Sequence, residues 1–144
     1  MGKTKVLFVC EHNSARSQIS EELLRKMAGE LFEVQSAGLE PGMINPFVVE
    51  VMKEEGVDLT GKQTRDVFEL YKAGKLYEYV VTVCDPEVDD KCPVFPGIVK
   101  RCNWPFPDPS RFEGTEESKL AQVRDLKEQI KKKIEDFIQT VSSS

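Results

Sequence analysis

The sequence predicts an α/β fold, a single three-layer domain in which a four-stranded parallel sheet carries helices on both faces. Three observations predict it. Apolar, β-branched segments alternate along the chain with segments whose apolar residues recur at helical spacing. The first of the strand segments is apolar without alternation, as expected of a central strand covered on both sides. The chain has 144 residues with no internal repeat, low-complexity tract or linker, so residues 1–144 form one domain large enough to bury a core without disulfide staples.

The elements follow in order. Lys5 to Val9 is the first strand, and after a loop Ile19, Leu23, Met27 and Ala28 mark a helix, with Glu21 and Glu22 early and Arg25 and Lys26 late, matching the helix dipole. Gly29 closes it. Leu31 to Ser36 reads as the second strand, closed by Ala37-Gly38. Pro41, Gly42, Asn45 and Pro46 make a loop, and Val48, Val51 and Met52 form one face of a helix that stops at Gly56. A brief helix from Asp66 runs to about Gly74. Tyr79 to Cys84 is the strongest strand signal, being β-branched throughout its centre. Residues 85–97, rich in Asp and Pro, read as a loop. Ile98 to Cys102 is the fourth strand, and Pro105 to Pro109 is a rigid loop holding Asp108, with Trp104 packing behind it. The stripe Leu120, Val123, Leu126, Ile130, Ile134, Phe137 and Val141 is the last helix. Its Lys131-Lys132-Lys133 run reads as a solvated face, and Ser142-Ser143-Ser144 as a frayed end. This gives at most four strands and four helices.

Composition narrows the function. A net charge of −5 leaves no basic field for nucleic acid or an anionic membrane, and no window reaches the ~20 apolar residues of a membrane span. A cytoplasmic monomer is expected. Four cysteines without a secretion signal point to reduced thiols used for chemistry or metal. A zinc site needs four closely paired nitrogen or sulfur ligands, and a chain with one histidine and no Cys-x-x-Cys does not offer them.

Chemistry concentrates in Cys10-Glu11-His12-Asn13-Ser14-Ala15-Arg16-Ser17. A loop leaving a buried strand for a helix turns its N–H groups inward, and the helix N-terminus adds partial positive charge, so the concavity holds an anion. Arg16 completes it with a planar fork of donors suited to a tetrahedral oxyanion. The same setting favours the thiolate of Cys10, and Ser17 can bond its sulfur. Cys10, Cys84 and Asp108 each follow a strand, so a parallel sheet brings them to one edge, where such folds bind ligands. His12 has no orienting partner in the sequence, and loop packing is its simpler role.

At Val9-Cys10, Asn13, Arg16-Ser17-Gln18 and Glu21 the chain resembles the low-molecular-weight protein tyrosine phosphatases and the arsenate reductases of the same fold. Gln18 resembles the reductase branch, since the phosphatases usually carry proline there. In that branch a second cysteine after the third strand and a third in a Cys-Pro step pass a disulfide outward. Cys84 and Cys92-Pro93 stand at those positions, although the seven residues between them are one more than in the reductases compared. The resemblance implies catalytic roles for Cys10, Arg16, Cys84, Cys92 and Asp108, with Asp108 as proton donor. It implies oxyanion binding by Glu11, His12, Asn13, Ser14, Ala15, Arg16 and Ser17. A dithiol protein such as thioredoxin would be the reductant, and no nicotinamide or flavin would be needed. The reductase branch often binds a monovalent cation, so a potassium ion at Asn13, Glu21, Ser36 and Asp66 is an expectation. Cys102 lies outside the pattern and reads as inert core.

Three readings stand at this point. The first is a thioredoxin-coupled arsenate reductase with weak phosphatase activity. The second is a phosphatase using Cys10, Arg16 and Asp108, against which Pro109-Ser110-Arg111 replaces the tyrosine pair usual there. The third is an idle anion-binding module needing neither Cys84 nor Cys92.

Overall fold

The computed structural model describes residues 2–98 and 100–142. Four parallel strands form one sheet: β1 Thr4–Cys10, β2 Phe32–Gly38, β3 Tyr79–Thr82 and β4 Lys100–Asn103. Their order is β2-β1-β3-β4, which places β1 in the middle and aligns Cys10 with Gly38 and Val9 with Thr82. The helices are α1 Arg16–Ala28, α2 Pro46–Glu54, α3 Val67–Lys72, α4 Pro86–Asp89 and α5 Glu116–Ser142.

The period-two alternation of β1 divides the core. Val6 and Phe8 face a larger layer with Ile19, Leu23 and Leu24 of α1, Val51 and Met52 of α2, and Val123, Leu126, Ile130 and Ile134 of α5. Leu7 and Val9 face a smaller layer with Val80, Val67 of α3, Tyr77, Cys92 and Phe95. Burying each such side chain contributes about 1.5–3 kcal/mol, so the two layers hold the sheet flat against its helices. Helix starts are capped locally. Asn45 Oδ1 accepts from the Phe47 amide at 2.8 Å with Pro46 at the first helical position, and Thr115 Oγ1 accepts from Ser118 N at 3.1 Å.

Most expected boundaries hold within two residues, but several details differ. The segment after Cys84 is not all loop, because Asp85 and Pro86 carbonyls accept from Asp89 and Asp90 amides at 3.1 and 3.3 Å and wind Pro86–Asp89 into one turn, giving five α-helices among the described residues beside the short 3-10 helix Pro109–Arg111. Proline masked that turn, although it is well tolerated at a helix start. β3 ends at Thr82, two residues short of Cys84. β4 runs Lys100–Asn103, and Val99 of the expected strand lies outside the described residues. Ser142 belongs to α5, while Ser143 and Ser144 lie outside them. The lysine run is not wholly solvated: Lys131 Nζ lies 3.5 Å from Glu55, and Lys133 sits 5.7 Å from the Trp104 ring centre. No helix among the described residues is long and apolar enough to cross a membrane.

Candidate active site

β1 delivers Cys10 to the carboxyl edge of the sheet, and six residues later Arg16 opens α1. The turn between them requires Asn13 in the left-handed region at φ 54°, which asparagine tolerates better than most residues. The carbonyls of the loop are held on its outer side. Those of Cys10, Glu11, His12 and Ser14 accept from the amides of Leu39, Glu40, Gly42 and Asn45 at 2.8–3.1 Å, and that of Asn13 accepts from Gln18 Nε2 at 3.0 Å. With the carbonyls held on partners outside the loop, its peptide N–H groups are left for an anion beside a thiol that is itself only 2% exposed. The Asn13 amide points at Cys10 Sγ from 3.1 Å, and Ser17 Oγ lies 2.9 Å from it. His12 is exposed and spends Nδ1 on the Glu40 carbonyl at 2.9 Å, a packing role for its ring.

Gly38, opposite Cys10 in register, lets β2 approach this loop. A Cβ there would stand 2.7 Å from Asn13 N and 2.8 Å from His12 C. Arg16, buried, donates from Nη1 to the Phe106 carbonyl at 3.2 Å, and its Nη2 lies 3.7 Å from Asp108 Oδ2. Asp108 Oδ1 accepts from the Ser110 amide at 2.9 Å and hydroxyl at 2.8 Å. Burial pushes the Asp108 carboxyl up, but the Ser110 bonds and the guanidinium groups of Arg16 and Arg111 outweigh it and hold it below the usual carboxylate value.

The other two predicted cysteines occupy different layers. Cys84, 1% exposed, packs in the larger layer with Cys10, and its Sγ lies 3.9 Å from the carbonyl of Val9, the residue before Cys10. Burial and the charge of Cys10 push its thiol up to about 12, against the opposing effect of Arg16. Cys92 belongs to the smaller layer, and burial pushes its thiol up to about 11 although Arg101 pulls the other way. Cys102 is half-buried against the larger layer.

Asn13, Glu21 and Ser36 do come together, but as a hydrogen-bonded relay. Asn13 Nδ2 donates to Ser17 Oγ at 2.8 Å and Ser36 Oγ at 3.0 Å, and Ser36 donates to Glu21. Asn13 Oδ1 is fixed elsewhere by the Arg65 amide at 2.9 Å and Gln18 Nε2 at 3.0 Å, so the cluster receives a donor from Asn13 and no oxygen. Asp66 bridges Gly38 through its backbone, and its side chain caps α3, accepting from Phe68 N at 2.8 Å. The positive charge on Glu21 comes from Arg25, which pairs with it, and from Lys62, whose Nζ lies 3.0 Å from Oε1. These residues do not fit a potassium ion: they lack an oxygen cage, and two side-chain cations already neutralise the carboxylate. Lys62 and Gly38 were invisible to sequence reasoning, one far along the chain from Glu21 and the other an ordinary strand-end glycine.

A model of the low molecular weight phosphotyrosine protein phosphatase family matches residues 5–144. The chain belongs to this family. Within and around the low molecular weight phosphatase family, it is 38% identical over 143 residues to the arsenate reductase of Bacillus licheniformis, covering 97% of this chain and 99% of that protein. It is likewise 38% identical over 135 residues to the arsenate reductase of Bacillus subtilis, covering 94% and 95%. Among solved structures, an arsenate reductase in the phosphate binding state superposes with a TM-score of 0.77 at 26% identity over 95% of this chain and 98% of that one. A thioredoxin-dependent arsenate reductase of Corynebacterium glutamicum matches at a TM-score of 0.65 and 29% identity over 92% of this chain and 62% of that one.

Proposed function

We propose that this chain reduces arsenate to arsenite with its own thiols and is restored by a dithiol protein of the thioredoxin kind. The observation that carries the reading is the pairing of a buried thiol, Cys10, which accepts from the Asn13 amide in the loop that leads to Arg16, with a second buried thiol, Cys84, beside the same strand end. The Cys10 thiolate attacks arsenic while the loop amides and Arg16 hold the equatorial oxygens, and the departing oxygen leaves as water with a proton supplied through Asp108. Cys84 then attacks Cys10 Sγ as a thiolate. The S–As electron pair goes to arsenic, which falls from the +5 to the +3 state, and arsenite leaves with two protons from solvent as a Cys10–Cys84 disulfide forms. Cys92 attacks Cys84 Sγ, freeing the Cys10 thiolate and leaving Cys84–Cys92. An external dithiol reduces that bridge and is itself oxidised.

Lys62 supplies at Glu21 the charge that a monovalent cation would bring, so turnover does not depend on potassium. A second reading, phosphate ester hydrolysis, has the support of the Arg16–Asp108 pair beside Cys10, and weak activity of this kind accompanies the first. Disulfide mapping by mass spectrometry after arsenate addition tests both. The reductase reading expects a Cys84–Cys92 bridge in wild type and a trapped Cys10–Cys84 bridge in Cys92→Ser. Absence of any arsenate-dependent bridge, with hydrolysis of an aryl phosphate retained, transfers the assignment to the phosphatase reading.

A further inference from the structure

Arg101 lies in β4, and no step above uses it. Its guanidinium is nevertheless spent on one segment. Nη2 donates to the Asp89 carbonyl at 2.6 Å, to Asp89 Oδ1 at 3.3 Å and to the Cys92 carbonyl at 3.5 Å. Nε reaches Asp89 Oδ1 at 3.4 Å and Nη1 the Pro93 carbonyl at 3.4 Å. Asp89 Oδ1 also accepts from Thr82 Oγ1 at 2.7 Å, and Asn103 Nδ2 donates to the Cys84 carbonyl at 2.9 Å. The stretch from Cys84 to Pro93 is therefore fastened at both ends to side chains of β3 and β4. Meanwhile Cys92 is sunk in the smaller core layer, 5% exposed, whereas Cys84 lies in the larger one.

We propose that Arg101 is a positioning residue for the thiol of Cys92, a buckle that keeps it buried at rest and has to release Asp89, Cys92 and Pro93 before Cys92 can reach Cys84. The need for release rests on the relay read above; the buckle itself does not. Thiol–disulfide exchange requires an in-line approach of one sulfur to the other, and two thiols packed in opposite layers cannot meet while the chain between them is pinned. A guanidinium suits the pinning because its planar fork serves several acceptors at once, which a lysine ammonium on a flexible stem does not reproduce. Segments that must open locally are held by a few polar contacts rather than by wide apolar packing, and α4, one turn long, is such a segment.

The test uses the reduced full-length chain without arsenate, comparing wild type, Arg101→Gln and Arg101→Lys. Iodoacetamide labelling of Cys92 is followed by mass spectrometry, and amide hydrogen exchange is followed in parallel. The buckle expects Cys92 labelling about ten-fold faster or more in Arg101→Gln, with faster exchange confined to residues 85–94. Arg101→Lys should resemble Arg101→Gln, and it also serves as the test variant should Arg101→Gln fail to fold. Labelling within two-fold of wild type, faster exchange across the whole sheet, or full protection by lysine would each overturn it. A second arm adds arsenate in a single turnover. The Cys84–Cys92 bridge should form faster in Arg101→Gln, and slower formation overturns release as the permissive event. If wild type forms no such bridge, the relay reading fails while the labelling still decides the buckle.

Discussion

Asp108 Oδ2 stands 3.7 Å from Arg16 Nη2, so before any anion arrives the proposed proton donor and the proposed anion clamp partly neutralise each other. An ionised Asp108 cannot donate a proton; it becomes an acid when a bound oxyanion takes over the guanidinium and sets negative charge beside it. Removing the carboxylate separates these two roles. Asp108→Asn should lower arsenate turnover about 10²- to 10⁴-fold. Inorganic phosphate should compete better with arsenate in the same variant, because Arg16 is left unopposed. Steady-state kinetics with phosphate as inhibitor measures both, and undiminished turnover would take Asp108 out of the chemistry.

Gly38 is held to glycine by approach distance and not by backbone angle. A methyl group there would meet Asn13 N at 2.7 Å, His12 C at 2.8 Å and Glu11 O at 3.0 Å, all backbone atoms that can yield only by moving the loop. Gly38→Ala should therefore cost about 1–3 kcal/mol of stability through overpacking. Displacing the cradle by about 1 Å should cost turnover roughly 10²-fold. Circular dichroism should still show the folded chain, and unfolding and kinetic measurements on the same sample separate the two losses.

The sheet and its helices were legible because β1 reads as a fully buried strand and α5 as an amphipathic helix, and the anion-loop candidate because strand, loop and helix sit together in the chain. Cys10, Asn13, Arg16 and Ser17 stand within one such stretch. What the sequence hid depends on distant partners. The backbone of Leu39 to Asn45, which turns the loop carbonyls outward, carries no side-chain signal. Lys62 looks like any loop lysine until the fold sets it on Glu21. The cation expectation turns on the same point, since four oxygen-bearing side chains at suitable places do not reveal which way Asn13 turns its amide.

Glu21 is 1% exposed, and its charge depends on its partners. Burial raises its carboxyl, but Lys62 together with bonds from Ser36 and Arg25 prevails, and the group lies below its ordinary value in the folded chain. A carboxyl depressed by folding stabilises above its unfolded value and loses that contribution as pH falls through the folded one. Glu21 should accordingly contribute to stability at neutral pH and give way on the acid side. Lys62→Met, which leaves Glu21 short of one partner, should lower stability at pH 7 by about 1–3 kcal/mol. The deficit should shrink toward low pH, where Glu21 takes up a proton. Denaturant titrations of both proteins at pH 7 and pH 4 check the sign, and an equal deficit at both would show that Lys62 acts by packing alone.

The relay should be paced by alkali. Burial is the largest of the causes that push the resting Cys84 thiol up to about 12, and it persists once Cys10 carries arsenic, so at pH 7 only a small fraction of molecules carries the attacking thiolate. While the attack is made from this buried setting, each pH unit multiplies the thiolate fraction ten-fold. In Cys92→Ser, which stops the sequence at its first bridge, the single-turnover rate of Cys10–Cys84 formation should rise close to ten-fold per unit from pH 7 to pH 9 without levelling. Rapid quenching at each pH followed by mass spectrometry gives the rate. A plateau near the ordinary thiol value would mean that Cys84 attacks only after its loop has opened to water, because a solvated thiol ionises there and gains nothing further from added base.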